Sequence, residues 1–408
     1  MNIDAQRWLD RWVGIPLCAA VSAFDALKNR GKPVSTEASA PRAIVVILLS
    51  EMGSLVLAHD MFARLKTRYP EAQLHALLFG KNREILDLMD VIAPGNVHVV
   101  DDKSLPGLLR SLWKALADLR RAHIDVAIDC ELFSRISSLL SFASGASVRV
   151  GFHRHTQEGL YRGSHITRPV PYNPYQHISA QFLTLARAID STAVPKSKLP
   201  VMVQTKPPPH VVMDAALIAG IETRLADDFP AIAGKPLVLV YPGGGILPIR
   251  AWPLASYSVL CNGLVADGCA VAVIGLKDDQ ALARELVASV KASAQDSPVI
   301  DLTGYTRSIA ELLALFHKAS LLVTNDGGPG QFAALTPIWT VMLFGPETPA
   351  LYAPLTPKCY SFYSQWPCSP CLTAYNHRSS FCDGDNQCLK VIAPDDVLAK
   401  ARECLASA

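Results

Sequence analysis

From Pro41 onward the chain repeats one pattern: a short aliphatic run, a turn, then a stretch with helical spacing. Ala43–Leu49 reads AIVVILL, with no polar residue to offer water on either face. A strand of that kind has to be covered on both sides, which calls for a parallel sheet layered between helices. Leu57, Met61, Leu65 and Tyr69 then fall on one face of a helix predicted over Leu57–Tyr69. Further strands are predicted at Gln73–Phe79, Val97–Val100 and Ile124–Asp129, with helices at Arg83–Met89 and Leu105–Arg121 between them. The pattern blurs from Gly151 to Val201, a stretch rich in His, Arg, Pro and aromatics.

The prolines of Thr205–His210 (TKPPPH) are hostile to strand and helix alike and mark a linker. A helix that includes Met213–Leu225 follows, and a second α/β run begins. Its predicted strands are Leu237–Tyr241, Ala270–Gly275, Val299–Leu302, Leu321–Asn325 and Ile338–Phe344. Helices are expected at Ser256–Asp267, Asp279–Val290 and Ile309–Ala319, with a short one near Gly330–Leu335. The expected organisation is an amino-terminal segment over 1–40 and two doubly wound α/β domains, 41–205 and 206–408. A length of 408 residues agrees with two domains at about 150 residues each.

With 50% hydrophobic and 18% charged residues, the chain as a whole is neither disordered nor a coiled coil. Lys and Arg total 38 against 36 acidic residues, so phosphate neutralisation along a nucleic acid is not its business. No secretory signal pattern opens the sequence, which makes a reducing, cytoplasmic setting the expectation. The most apolar stretch, Trp12–Leu27, is shorter than the ~20 residues a membrane span needs and contains Pro16 and Asp25. With Arg11, Lys28 and Arg30 at its ends, it suits either a helix in the membrane interface or one packed on the protein's own surface.

The dinucleotide fingerprint G-x-G-x-x-G and the phosphate loop G-x-x-x-x-G-K-[ST] are both missing after the predicted strands. Two other glycine-rich loops follow strands of the second run. Tyr241-Pro-Gly243-Gly244-Gly245 precedes Leu247-Pro-Ile-Arg250-Ala-Trp252, and Asn325-Asp326-Gly327-Gly328-Pro329-Gly330 precedes a short helix. Glycines let backbone amides approach an anion, and Arg250 adds a forked cation suited to phosphate. Together they predict a diphosphate site.

These segments carry a resemblance. YPGGG…LPIRAWP, DLTGYTRSIAELLALFHKASLLVTNDGGPGQFAA and FGPETP are similar to the donor-binding half of glycosyltransferase family 9, the ADP-heptose:lipopolysaccharide heptosyltransferases and their relatives. LLSEMGSLVLAH and RLKTRYPEAQLHALL resemble that family's opening strand, loop and helix, so the likeness runs from about Ala43 to Leu389. It implies a GT-B fold, two Rossmann-like domains facing across a cleft, with nucleotide-diphosphate sugar on the second and a glycan or glycolipid acceptor on the first. It also implies transfer with inversion and no catalytic metal, at the inner face of the bacterial inner membrane. By position, Arg250 replaces the family's phosphate-contacting Lys, and Asp326, Gly327, Gly328 and Pro329 meet ribose or diphosphate. Asp278 or Asp279 is placed for ribose hydroxyls, and Gly304-Tyr305-Thr306 for the base.

The chain departs from the family in two places. Relatives usually carry an Asp after the glycine of the first loop, where this chain has Ser54 in Ser50-Glu51-Met52-Gly53-Ser54, and Gln331 stands where many have His. Inverting transfer needs a carboxylate to take the acceptor's proton. Glu51 is the candidate base, with His59 or Asp60 in reserve; the plainer alternative is that Glu51 caps the following helix. A catalytically degenerate protein that binds nucleotide or glycan as a scaffold, and a sugar-nucleotide epimerase on the same fold, are the alternative functions. His153, Arg154, His155, Arg162 and Arg168 either line an anionic acceptor or belong to a solvated loop.

Of ten cysteines, Cys18, Cys130, Cys261, Cys269, Cys359 and Cys404 are scattered. Cys368-x2-Cys371-x10-Cys382-x5-Cys388 has spacing that suits a tetrahedral structural Zn or Fe; two disulfides or free thiols are the alternatives. His377 is a substitute ligand. Cysteine-bound iron in some relatives, the autotransporter heptosyltransferases, resembles this arrangement.

Overall fold

The protein is described from a computed structural model covering residues 3–30, 40–49, 51–132, 134–153, 161–198, 205–376 and 378–408, with residues 3–7 in backbone only. Two units emerge: Met1–Lys206 with Ala374–Arg378, and Pro207–Thr373 with Ser379–Ala408.

In the first unit, strands β1 (Ala43–Ile47), β2 (Gln73–Phe79), β3 (Val97–Val100), β4 (Val126–Asp129), β5 (Val148–His153) and β6 (Arg168–Pro171) form a six-stranded parallel sheet. Its order is β3-β2-β1-β4-β5-β6. The helices are α1 (Ile3–Trp12), α2 (Gly14–Lys28), α3 (Met52–Leu57), α4 (His59–Arg68), α5 (Arg83–Met89), α6 (Leu105–Arg121), α7 (Arg135–Ala143) and α8 (Ile178–Ala188). Every residue of β1 is buried, as its sequence demands. Ala43, Val45, Ile47 and Leu49, alternating along the strand, meet Ala115 and Leu119 of α6 and Leu140 of α7, so these two helices share one face of the sheet.

The second unit repeats the plan. Strands β7 (Leu237–Tyr241), β8 (Ala270–Gly275), β9 (Val299–Thr303), β10 (Leu321–Asn325), β11 (Trp339–Phe344) and β12 (Cys359–Tyr363) pair in parallel in the order β12-β11-β10-β7-β8-β9. Around them lie α9 (Ala215–Asp228), α10 (Leu254–Ala266), α11 (Gln280–Ser293), α12 (Ile309–Lys318), α13 (Gly328–Ala333), α14 (Pro349–Tyr352), α15 (Gln387–Lys390) and α16 (Pro394–Ala406). Val238 and Val240 of β7, Trp252 before α10, Tyr257 and Leu260 within α10, and Val397 and Ala401 of α16 share its core. Two doubly wound parallel sheets of this kind make the GT-B class.

Within the blurred stretch, the described residues include the end of β5, β6 and α8. β5 carries Arg149, and β6 is the dipeptide repeat Arg-Pro-Val-Pro, tolerated because an edge strand needs donors on one side only. Arg162, expected on an acceptor or in a solvated loop, is instead fully buried. It donates to the Ser134 carbonyl at 2.8 Å and the Phe152 carbonyl at 2.8 Å, and pairs with Asp129 at the end of β4. His165 is also internal, between Ser22 and Ser138, and His177 caps α8 by accepting from the Ser179 amide. Arg154 and His155 lie outside the described residues.

The amino-terminal segment is two helices, not one. Asp10 reaches the first turn of α7, accepting from the amides of Arg135 (2.8 Å) and Ile136 (3.1 Å) and pairing with the Arg135 guanidinium at 2.9 Å. Asp25 pairs with Arg149 at 2.7 Å. Gly14 sits so close to Arg135 that a β-carbon there would stand 2.8 Å from the arginine's own. Among the described residues no helix is long and apolar enough to cross a membrane.

Candidate active site

The two glycine-rich loops leave the carboxyl ends of adjacent strands, β7 and β10, and one side chain staples them. Asn325 donates to the carbonyls of Pro242 (3.0 Å) and Gly243 (2.9 Å), and its own oxygen accepts from the Trp252 amide (3.0 Å) and the Tyr257 hydroxyl (2.9 Å). All of it is buried, so each bond is made in a low-dielectric setting and its loss leaves an expensive orphan. The loop tolerates nothing larger than glycine at 244, where a β-carbon would lie 2.7 Å from the Leu247 carbonyl oxygen. Gly245 takes a left-handed φ of 61°.

Arg250, in a short turn that follows, lies between two carboxylates. Its Nη2 is 2.5 Å from Glu347 and its Nε 3.5 Å from Asp326. Both acids are buried, and Asp326 Oδ2 and Arg250 Nε have no hydrogen-bond partner among the described residues. Burial pushes the Glu347 carboxyl well above its ordinary range; Asp326 adds to this while Arg250 opposes it. Glu347 therefore competes less strongly for the guanidinium than an ordinary carboxylate would. Beside it, α13 begins at Gly328 with Gly327 as its cap residue and no side chain bonded across the first turn, so the amides of Gly328 and its neighbours are not claimed by a cap. Gln331 is turned away, donating to the Tyr352 carbonyl at 2.7 Å.

The structure thus brings Gly243, Gly244, Gly245, Arg250, Asp326, Gly327, Gly328 and Pro329 into one neighbourhood. Asp279 borders it, its Oδ1 lying 3.0 Å from where a Gly243 β-carbon would stand, while its other oxygen accepts from the Leu276 amide at 2.8 Å. Tyr305 and Thr306 follow β9, farther along the sheet edge. There Tyr305 is already engaged: its hydroxyl donates to Asp228 at 2.9 Å, and the Arg224 guanidinium lies 4.5 Å above its ring. Glu347 was missed by sequence reasoning although it stands in FGPETP; its closeness to Arg250 depends on β10 and β11 pairing.

Glu51 is in the first unit, directly before α3. It accepts a hydrogen bond from Ser54 Oγ at 2.8 Å and pairs with Arg378, which the first unit draws from the carboxyl-terminal loop. It makes no side-chain cap bond to α3. Of the reserves, Asp60 is committed to structure: buried, it accepts from the Lys206 amide at 3.1 Å. Burial lowers the pKa of His59, against the pull of Asp60, so it stays neutral near pH 7.

Cys368, Cys371, Cys382 and Cys388 line one cavity of about 390 Å³ with Ile249 and Pro346. No disulfide joins them, and burial raises Cys388 to about 11, helped by Cys371, Cys368 and Cys382. Among the described residues no three His, Cys, Asp or Glu side chains are set to hold a metal as they stand. His377 lies outside the described residues. This loop is tied to the segments flanking Arg250 and Glu347: Asn386 donates to the Ile249 carbonyl at 2.6 Å, and the amides of Cys371 and Leu372 donate to the Pro346 carbonyl at 3.0 and 2.9 Å.

The sequence model of glycosyltransferase family 9 (heptosyltransferase) matches residues 109–380. The lipooligosaccharide heptosyltransferase 2 of Haemophilus ducreyi is 25% identical over 317 residues, 77% of this chain and 86% of that protein. The lipopolysaccharide heptosyltransferase 2 of Escherichia coli K12 is 23% identical over 367 residues, 89% of this chain and 98% of its own. The solved structure of the E. coli ADP-heptose lipopolysaccharide heptosyltransferase II superposes with a TM-score of 0.67 at 20% identity, over 90% of this chain and 99% of that one. The chain is a glycosyltransferase and belongs to family 9.

Proposed function

We propose that this glycosyltransferase moves a heptose from ADP-heptose to a hydroxyl of a lipopolysaccharide-type acceptor, with inversion and without a catalytic metal, at the cytoplasmic face of the membrane. The observation that carries the donor assignment is Arg250 beside the uncapped start of α13, with orphaned polar atoms on Arg250 and Asp326. A diphosphate supplies what those groups lack. Asp279, Tyr305 and Thr306 are assigned to the nucleoside, and Tyr305 gives up part of its Asp228 contact to serve it.

In the reaction the acceptor oxygen bonds to C1 as the C1–O bond to the diphosphate breaks. ADP leaves with the bonding pair, and the acceptor proton passes to Glu51. Arg378 favours the ionised form of that carboxylate, and Ser54 fixes its direction, so the serine that replaces the family's aspartate positions the base instead of acting as one. Charge building on ADP is taken by Arg250 and by the amides of Gly243–Gly245 and Gly327–Gly328.

We infer also that the four clustered cysteines take a structural zinc or iron. Four thiols on one cavity are a suitable donor set, but they need to draw closer to bind. The ion would hold the Ile249 and Pro346 loops that frame Arg250 and takes no part in the transfer. Metal analysis of the purified chain tests this: about one ion per chain, lost in Cys368→Ser/Cys371→Ser, is expected, and an absence of Zn and Fe rejects it.

Incubation with ADP-heptose, with and without a heptose-deficient lipopolysaccharide acceptor, tests the transfer itself. ADP release that depends on acceptor is expected. Donor binding without turnover supports a scaffold, and ADP release without acceptor rules out obligate transfer.

A further inference from the structure

A helix that packs on its own protein ordinarily buries its apolar stripe and shows water its polar one. The α1–α2 segment does the reverse. Its inward face is Asp10, Gly14, Cys18, Ser22 and Asp25, small or polar residues bonded to Arg135, Arg149 and His165. Its outward face is Trp8, Trp12, Leu17 and Leu27, with the two tryptophans 61% and 59% exposed and Leu27 68%. Both acids between residues 8 and 30 are thus spent inward, while Arg11, Lys28 and Arg30 stay exposed. The Arg11 guanidinium lies 5.4 Å over the Trp12 ring.

The same side of the first sheet carries α6, since both α6 and α7 cover it and α2 packs on α7. Leu105, Leu109 and Trp113 recur every fourth residue on the exposed side of α6, Trp113 being 73% exposed, and Arg110 and Lys114 lie beside them. Apolar side chains of interfacial type, rimmed by unneutralised cations, match an anionic lipid surface in both polarity and charge.

We propose that α1, α2 and the outer stripe of α6 form a docking face for an anionic phospholipid bilayer. Tryptophans enter the headgroup boundary while Arg11, Lys28, Arg30, Arg110 and Lys114 meet lipid phosphates. The inward ion pairs of Asp10 and Asp25 hold the segment in place without drawing on its apolar face. A second copy of the chain would bury the apolar residues equally well but would press like charges together, which is why lipid is the occupant chosen.

Co-sedimentation of the full chain with vesicles of phosphatidylethanolamine and phosphatidylglycerol, in the absence of donor, tests this apart from the transferase assignment. Sedimentation is expected, with much weaker binding to phosphatidylcholine vesicles. Arg11→Gln/Lys28→Gln/Arg30→Gln should lower the partition coefficient on the order of a hundred-fold, at about five-fold per cation. Trp8→Ser/Trp12→Ser should abolish binding while ADP affinity and thermal unfolding stay as in the parent. A chain that remains in solution with anionic vesicles at low salt overturns the proposal. So does a dimer in solution that the tryptophan variant dissociates while vesicle binding is unaffected.

Discussion

The two sheets share one strand order and differ in what stands at their carboxyl ends. In the second unit, β7 and β10 run into glycine, backbone amide and one caged guanidinium. In the first, β1 and β4 run into carboxylates, Glu51 and Asp129, each held by an arginine from far along the chain. Asp129 and Arg162 are both fully buried and close each other off, which makes that pair structural, whereas the side chain of Glu51 is 39% exposed and keeps access to a substrate. On the proposed function, one scaffold carries an anion-binding end and a proton-accepting end, and the difference lies in a few loop residues.

The sharpest way to break this division is Glu51→Gln. It should lower turnover by about 10²–10⁴-fold while ADP affinity stays as in the parent, because the base and the donor site belong to different units. Acceptor-dependent ADP release and calorimetry read the two halves separately. An unchanged rate would remove Glu51 from the mechanism.

A second test concerns stability in the first unit. His75 and His98 stack with nitrogens 3.1 Å apart, and burial, then His98, lowers His75 to about 4. The folded state therefore refuses a proton that the unfolded chain accepts near pH 6.5. This contribution is complete above that pH and fades as pH falls toward 4, a loss of about 3 kcal/mol. Urea unfolding across that range should show it, and His75→Leu should flatten the slope.

In the second unit, Arg250→Ala should weaken ADP binding by about ten- to a hundred-fold, the worth of a charge-assisted hydrogen bond. Glu347→Gln should bind ADP at least as well as the parent, since it removes a competitor for the guanidinium. The smallest effect belongs to Arg378→Gln. Removing the cation paired with Glu51 should lower turnover by up to about five-fold without changing donor affinity.

Much of this was legible in the residues. Gln73–Phe79, Leu237–Tyr241, Ala270–Gly275 and Leu321–Asn325 are strands with the bounds their aliphatic runs predict. What escaped notice had compositions that pattern reading discounts. β6 contains two prolines, α7 contains three serines, and α16 lies beyond the motifs. At the site the glycines and Arg250 stood out because their chemistry is local. Glu347 and Arg378 did not, because each matters through a partner distant in sequence, and nothing near Arg378 points to a carboxylate in the opening loop. The outward-facing tryptophans of the amino-terminal segment were visible as apolar residues, but only the inward pairing of Asp10 and Asp25 reveals which face is which.

The central claim is that the second unit grips a nucleoside diphosphate through amides and one guanidinium. Isothermal titration of the full chain with ADP, in parallel with Arg250→Ala, tests it most directly. Saturable binding at one site per chain, weakened in the variant while its unfolding transition is unchanged, is the predicted result. No saturable heat with the parent protein, or equal affinity in the two, would contradict it.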